Sequence, residues 1–299
     1  MKIGIVGAGA IGLTFAAALA STNDVLVLAR RREVADAIEA DGIALVSEEE
    51  VEVVPVRATL DPRAFGDRDA VLVAVKAHAT RRALEPLRGN LASHALVVSL
   101  QNGLDNDVAA REALPEARVV AGTTTQAAIA LGPGRIRPAG DGTTTIARDI
   151  AASPTSDELG DALLTAGLDV RVVDDIRSAV WEKVIVNVAV NPLGALTGRT
   201  NGALADDPDL AALARALATE AAAVASAEGI SIANPWRLVE AAVSATAANR
   251  NSMLQDLDAG RPTEIDAIGA AIVRRADAHG IAVPLTKAIV QLIRARERA

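Results

Sequence analysis

The opening of the chain restricts its fold more than any other stretch. Residues 2–6 (KIGIV) are an apolar, β-branched run, GAGAIG follows at Gly7 to Gly12, and an alanine-rich segment then runs to about Ala20. Strand, glycine loop and helix in that order is the context in which G-x-G-x-x-G holds a dinucleotide. Gly7 allows the tight turn, Gly9 the close approach of pyrophosphate, and Gly12 the packing of helix on strand. Gly7, Ala8, Gly9, Ala10, Ile11 and Gly12 are therefore candidate cofactor-binding residues, acting through N–H groups at a helix N-terminus. The alternatives are an ordinary glycine-rich turn or, since Ile3 to Ala20 carry no charge, a secretory signal. Four glycines at roughly 1 kcal/mol each oppose a continuous apolar helix. No other uncharged apolar run approaches the ~20 residues of a membrane span, so a cytoplasmic protein is expected.

The same strand-then-helix texture continues. Further strand candidates are 25–29, 70–75, 95–100 and 118–125, each short and almost continuously apolar, as parallel strands buried on both faces are. Helical stretches at 33–40 and 80–91 intervene. Residues 129–150 read as turns and hairpin strands, and 168–175 as a last strand. Beyond it the pattern is helical, with stretches at 175–190, 209–229 and 263–280. Asp207-Pro208 and Asn234-Pro235 look like helix starts, Gly229 and Gly280 like stops. The fold class expected is an α/β N-terminal Rossmann domain, doubly wound with a mainly parallel sheet, over 1–174, plus an all-α C-terminal domain over 175–299.

Composition removes several functions. The 299 residues allow about two domains. A balance of 30 basic to 38 acidic residues, net −8, with only 1% aromatics gives neither the basic face nor the stacking platforms of a nucleic-acid binder. There is no Cys, and His78, His94 and His279 have no metal-ligand spacing, so no metal site is expected.

Four places carry candidate chemistry. At the end of the second strand an NAD site expects an acid for the ribose 2′-hydroxyl; this chain has Arg30-Arg31-Arg32. An arginine can pair with a 2′-phosphate, which favours NADP, with Arg30 or Arg31 as its partner; a solvated basic turn is the plain alternative. Lys76 and Asn102 leave neighbouring strands at the sheet edge where ligands of such folds bind. Lys183, Asn187 and Asn191 recur at i, i+4 and i+8 and share a helical face within about 80°. Their neighbours are apolar, so these groups need partners, either one another in an interhelical network or an oxygen-rich substrate. Partial desolvation would lower the lysine's pKa and suit it to general-acid work. Finally, in NRNSMLQDLDAGRPTEID (249–266), Ser252 has the look of an N-cap with Gln255 completing a capping box. Thr263 would cap the next helix, with Glu264 in its first turn.

GAGAIG with VKA at 75–77, QNG at 101–103, GTTT at 122–125, WEKVIVNVAVNPLGALTG at 181–198 and the 249–266 segment resembles the ketopantoate reductase family along essentially the whole chain. The resemblance implies NADPH-dependent reduction of 2-dehydropantoate to pantoate, in pantothenate and coenzyme A biosynthesis. By it, Lys183 is the general acid, with Glu264 near the reacting centre. Lys183, Asn187, Asn191, Asn201, Asn249, Arg250, Asn251 and Ser252 would hold the substrate. Lys76, Asn102, Ala128 and Glu264 would contact NADPH. The expected partner is a small 2-oxoacid, with neither nucleic acid nor membrane, and the alanine-rich helices are suited to a homodimer. Reduction of another 2-oxoacid on the same plan, or a non-catalytic dinucleotide sensor, are the competing readings.

Overall fold

In the computed structural model, which describes residues 1–48 and 50–298, the chain opens with strand β1 (Lys2–Val6), helix α1 (Ala10–Leu19), strand β2 (Asp24–Leu28) and helix α2 (Arg32–Asp41). Strands β3 (Ile43–Val46), β4 (Val51–Val54), β5 (Arg57–Thr59) and β6 (Ala70–Val73) follow, then α3 (Thr80–Leu84), β7 (Leu96–Ser99), α4 (Asn106–Ala113) and β8 (Arg118–Thr124). Next come β9 (Ala127–Gly132), β10 (Arg135–Gly140), β11 (Thr143–Ala147), α5 (Ser156–Thr165) and β12 (Asp169–Val173). Contacts gather residues 1–101 with 105–176 into one compact unit, and residues 102–104 with 177–299 into another.

The first unit is built on an eight-stranded sheet in the order β12-β11-β8-β7-β6-β1-β2-β5. From β5 to β8 every pairing is parallel, which is the strand order of a doubly wound dinucleotide-binding sheet. β11 adds antiparallel to β8, and β12 parallel to β11. Every residue of β6 and β7 is buried, because helices cover both faces of such a sheet; this is why the strands read as unbroken apolar runs. A second, four-stranded sheet, β4-β3-β10-β9, accompanies it.

Strands β3, β4 and β5 have no counterpart among the expected elements. They are three or four residues long, β4 is largely exposed, and acidic residues lie between β3 and β4, so neither length nor apolarity marked them. The helix expected over 80–91 stops at Leu84 and tightens into a 3₁₀ turn, Glu85–Leu87, since Pro86 has no N–H to continue it.

The second unit consists of α6 (Arg177–Thr197), α7 (Asn201–Asp206), α8 (Pro208–Ala227), α9 (Pro235–Ala245), α10 (Ser252–Asp258), α11 (Gly269–His279) and α12 (Pro284–Glu297). Its core joins Trp181, Val184, Ile185 and Val188 of α6 to Leu217, Ala221 and Val224 of α8 and to Ile272 of α11. α6 runs past the expected end at 190 and carries Pro192 in its interior. Pro192 has no N–H to donate within the helix, and Asn191 through Ala195 are all buried around it. α8 is, among the described residues, the one helix long and apolar enough to cross a membrane by length and composition; its inner face lies in the core.

Two expected caps shift. Asn251, not Ser252, is the N-cap of α10: its side chain accepts from the Leu254 N–H at 3.0 Å, and Gln255 bonds the Arg250 carbonyl at 2.7 Å instead of closing a capping box. The helix expected from Thr263 begins only at Gly269. Thr263 Oγ1 accepts from the Ile265 N–H at 3.2 Å, a local turn that competes with the helix. Glu264 accordingly sits in a turn ahead of α11 and not in its first turn.

Candidate active site

In the sheet unit, Gly7 ends β1 at φ +114, and a Cβ there would stand 2.9 Å from the Val75 nitrogen. The exits of β1 and β6 therefore approach each other where the strand order reverses, the place such sheets bind ligands. A Cβ at Gly12 would lie 1.9 Å from the Gly7 carbonyl oxygen, whereas one at Gly9 would meet nothing within 4 Å. No side chain caps α1 at Gly9, so its first-turn N–H groups, unpaired within the helix, are left for an incoming acceptor. Ala8, Ala10 and Ile11 are partly buried along this turn. These features fit a dinucleotide pyrophosphate.

Arg30, Arg31 and Arg32 are all exposed just past β2. Arg31 is paired with Glu33 at 3.0 Å; among the described residues Arg30 has no such partner. Lys76, partly buried, begins the 3₁₀ turn after β6. That turn is fastened by Gln101, whose amide donates to the Val75 carbonyl at 2.9 Å and to Thr80 Oγ1 at 2.6 Å, while its oxygen accepts from Ser99 at 3.0 Å. Gln101 belongs to the QNG motif, which does not by itself reveal this role. A buried amide beside a strand end was the only signal available. Ala128 lies in β9, paired with Pro138, on the second sheet.

In the helical unit, α6 carries Lys183, Asn187 and Asn191 on one face. Lys183 and Asn187 are partly buried and Asn191 is buried. Burial lowers the Lys183 ammonium from 10.5 to about 8, while the nearby Glu264 carboxylate acts in the opposite direction. Glu264 is itself buried and accepts from Asn102 Nδ2 at 2.9 Å. Residues called out separately in the sequence, Lys183, Glu264 and Asn102, thus form one group. Asn187 Nδ2 is buried without a hydrogen-bond partner among the described residues. A buried unpaired donor costs about 1–3 kcal/mol, so this amide is a position that an acceptor on a ligand would satisfy.

Asn201 and Asn251 are buried and mutually engaged. Asn201 Nδ2 donates to Thr246 Oγ1 at 2.9 Å, and Asn251 Nδ2 approaches Asn201 Oδ1 at 3.5 Å. Asn249 accepts the Asn201 N–H through its backbone carbonyl at 3.0 Å. Glycine at 194 is what lets Asn251 reach α6, since a Cβ there would be 2.2 Å from Asn251 Nδ2. The 249–251 segment is thereby pinned to α6 and α7. Ser252 follows as the first residue of α10, partly buried, whereas Arg250 is exposed and paired with Asp258.

Residues 3–149 match the family described as "Ketopantoate reductase PanE/ApbA", and 175–297 match "Ketopantoate reductase PanE/ApbA C terminal". The 2-dehydropantoate 2-reductase of Halobacterium salinarum is 35% identical over 304 residues, covering 100% of this chain and 99% of that protein. The structure of a PanE/ApbA family ketopantoate reductase from Ralstonia eutropha JMP134 superimposes with a TM-score of 0.91 at 35% identity, covering 100% and 99% of the two chains. D-mandelate dehydrogenase in ternary complex with NADH and anilino(oxo)acetate also superimposes with a TM-score of 0.91, at 25% identity over 100% and 99%. With both halves matched and the identity spread over the full length, the chain belongs to the ketopantoate reductase family.

Proposed function

We propose that this protein is a 2-dehydropantoate 2-reductase that uses NADPH, with residues 1–174 binding the cofactor and 175–299 binding substrate and supplying the proton. The observation that carries this reading is the α6 face: a lysine held near pKa 8 beside a buried carboxylate, one turn from a buried amide lacking an acceptor. Held by the Gly7–Gly12 turn, the nicotinamide cofactor would supply the hydride for the C2 carbonyl carbon. Negative charge then builds on the carbonyl oxygen, and the Lys183 ammonium stabilises that charge and donates the proton. Glu264 keeps Lys183 protonated and, with Asn102, contacts the cofactor. Asn187 and Asn191, with Asn201 and the 249–252 segment, hold the substrate's carboxylate and hydroxyls.

Within the dinucleotide site, backbone groups from Gly7 to Gly12 take the pyrophosphate, and Lys76 and Ala128 line the remainder. Arg30 is the preferred partner for the 2′-phosphate, because Arg31 already spends its charge on Glu33. The reading carries with it a cytoplasmic location, a small-molecule partner only, and room for a homodimer on the exposed alanines of α8.

The likeness to D-mandelate dehydrogenase supports a second reading, reduction of a different 2-oxoacid with NADH. One assay separates the two. Loss of nicotinamide absorbance is followed on adding ketopantoate, with NADPH and NADH in parallel. Turnover confined to NADPH is the expected result, and Arg30→Ala should then weaken NADPH while leaving NADH unaffected. Turnover with either cofactor would remove the arginine argument, and tight dinucleotide binding without turnover would move the substrate to another 2-oxoacid.

A further inference from the structure

The turn that carries Glu264 has little of its own to hold it. Its internal bonds are local: the Ala267 and Ile268 N–H groups to the Glu264 carbonyl, each at 3.1 Å, and Ile265 N–H to Thr263 Oγ1. Yet Thr263, Glu264, Ile265 and Ile268 are all buried, so the backbone must be fixed from outside. The Leu104 N–H does part of this through the Ala267 carbonyl at 2.9 Å, and the last helix holds the turn at two further points. Glu297, near the end of α12, accepts from the buried Thr263 N–H at 2.8 Å, and Arg294, one turn earlier, donates from Nε to Asp266 Oδ1 at 2.9 Å. A carboxylate accepting a backbone N–H is about twice as strong as a neutral pair. The Glu297 bond sits on the residue immediately before Glu264.

We infer that Glu297, at the far end of the chain from the nucleotide loop, is a positioning residue for the reduction: by fixing the Thr263 backbone it aims the Glu264 carboxylate at Lys183 and Asn102. Arg294 is the second point of the same clamp. The inference rests on the proposed role of Glu264. It concerns no group that itself touches substrate, and the carboxylate of Glu297 is exposed, so its loss does not empty the core.

The test compares Glu297→Ala with Glu297→Gln in the full-length protein. The glutamine keeps a carbonyl oxygen for the Thr263 N–H, and the alanine does not. The expected result is a kcat/KM for ketopantoate about tenfold lower in the alanine variant, restored to within about twofold by the glutamine, with melting temperatures within a few degrees. A second readout needs no turnover: pH-dependent acylation of Lys183, followed by mass spectrometry. Its midpoint, expected at about 8 in the parent, should fall in Glu297→Ala and stay in Glu297→Gln, because a displaced Glu264 no longer favours the ammonium. An alanine variant with parental rate and midpoint overturns the inference, as does a glutamine variant as impaired as the alanine. If the parent protein itself fails to reduce ketopantoate, the proposed function falls and the acylation midpoints alone decide this clamp.

Discussion

Lys183 lies among apolar neighbours on α6, and its burial holds the ammonium near pKa 8 against a carboxylate that pulls the other way. As general acid it must be protonated, so kcat/KM for reduction should fall as pH rises through about 8. Glu264→Gln removes the stabilising charge, and the midpoint of that profile should then move to lower pH. Lys183→Ala should lose about 10²–10⁴-fold in kcat while still binding NADPH; an unchanged kcat would end its role as acid. The sign for folding is the reverse of the usual lysine pair. Between about 8 and 10.5 the unfolded chain holds the proton that the folded one has released, so this group makes stability rise with pH across that window and contributes no slope below it. At this scale the α6 face was legible because helical period alone aligns Lys183, Asn187 and Asn191. Gln101 was not, since its importance comes from meeting Val75 and Thr80, which no spacing in the sequence reveals. Asn251 and Ser252 cannot be told apart as caps by residue type, because both cap helices well, and only the bond to the Leu254 N–H distinguishes them.

Among the elements, those with length and unbroken apolar character were readable: β1, β2, β6, β7, β8 and the long helices α6 and α8. What escaped depended on tertiary pairing. β5 exists because Arg57 to Thr59 find β2, and the late start of α11 reflects the local Thr263 turn together with the bond that turn receives from α12. The glycine loop is the element whose sequence reading can be tested most sharply. Gly12 is needed because its missing side chain lets α1 close on the Gly7 carbonyl at 1.9 Å from where a Cβ would be. Gly12→Ala should therefore push α1 off the strand, costing roughly 1–3 kcal/mol in denaturant unfolding and abolishing dinucleotide binding by fluorescence titration. Gly9→Ala meets no protein atom and should fold normally, losing affinity only where pyrophosphate must approach.

On the scale of the whole chain, the sequence presents a sheet half followed by a helical half, and the contacts add one exception, residues 102–104, which belong with the helical unit. Composition could not reveal this, because three residues after a strand carry no pattern of their own. The reason lies in long-range contacts: the Leu104 N–H bonds the Ala267 carbonyl at 2.9 Å, Asn102 bonds Glu264, and Gly103 fits against Ala267. Gly103 adopts φ +98, and a Cβ there would stand 2.4 Å from the Ala267 oxygen. Gly103→Ala must therefore strain its backbone, at about 1–3 kcal/mol, or withdraw the segment from the helical unit, carrying Asn102 away from Glu264. Either route should lower the melting temperature, and the second should also lower kcat/KM beyond what the stability loss explains. Asn102→Ala supplies the control, since it removes the contact to Glu264 without straining the chain. If Gly103→Ala proves as stable and active as the parent, the 102–104 segment is merely adjacent to the helical unit and takes no part in placing Glu264.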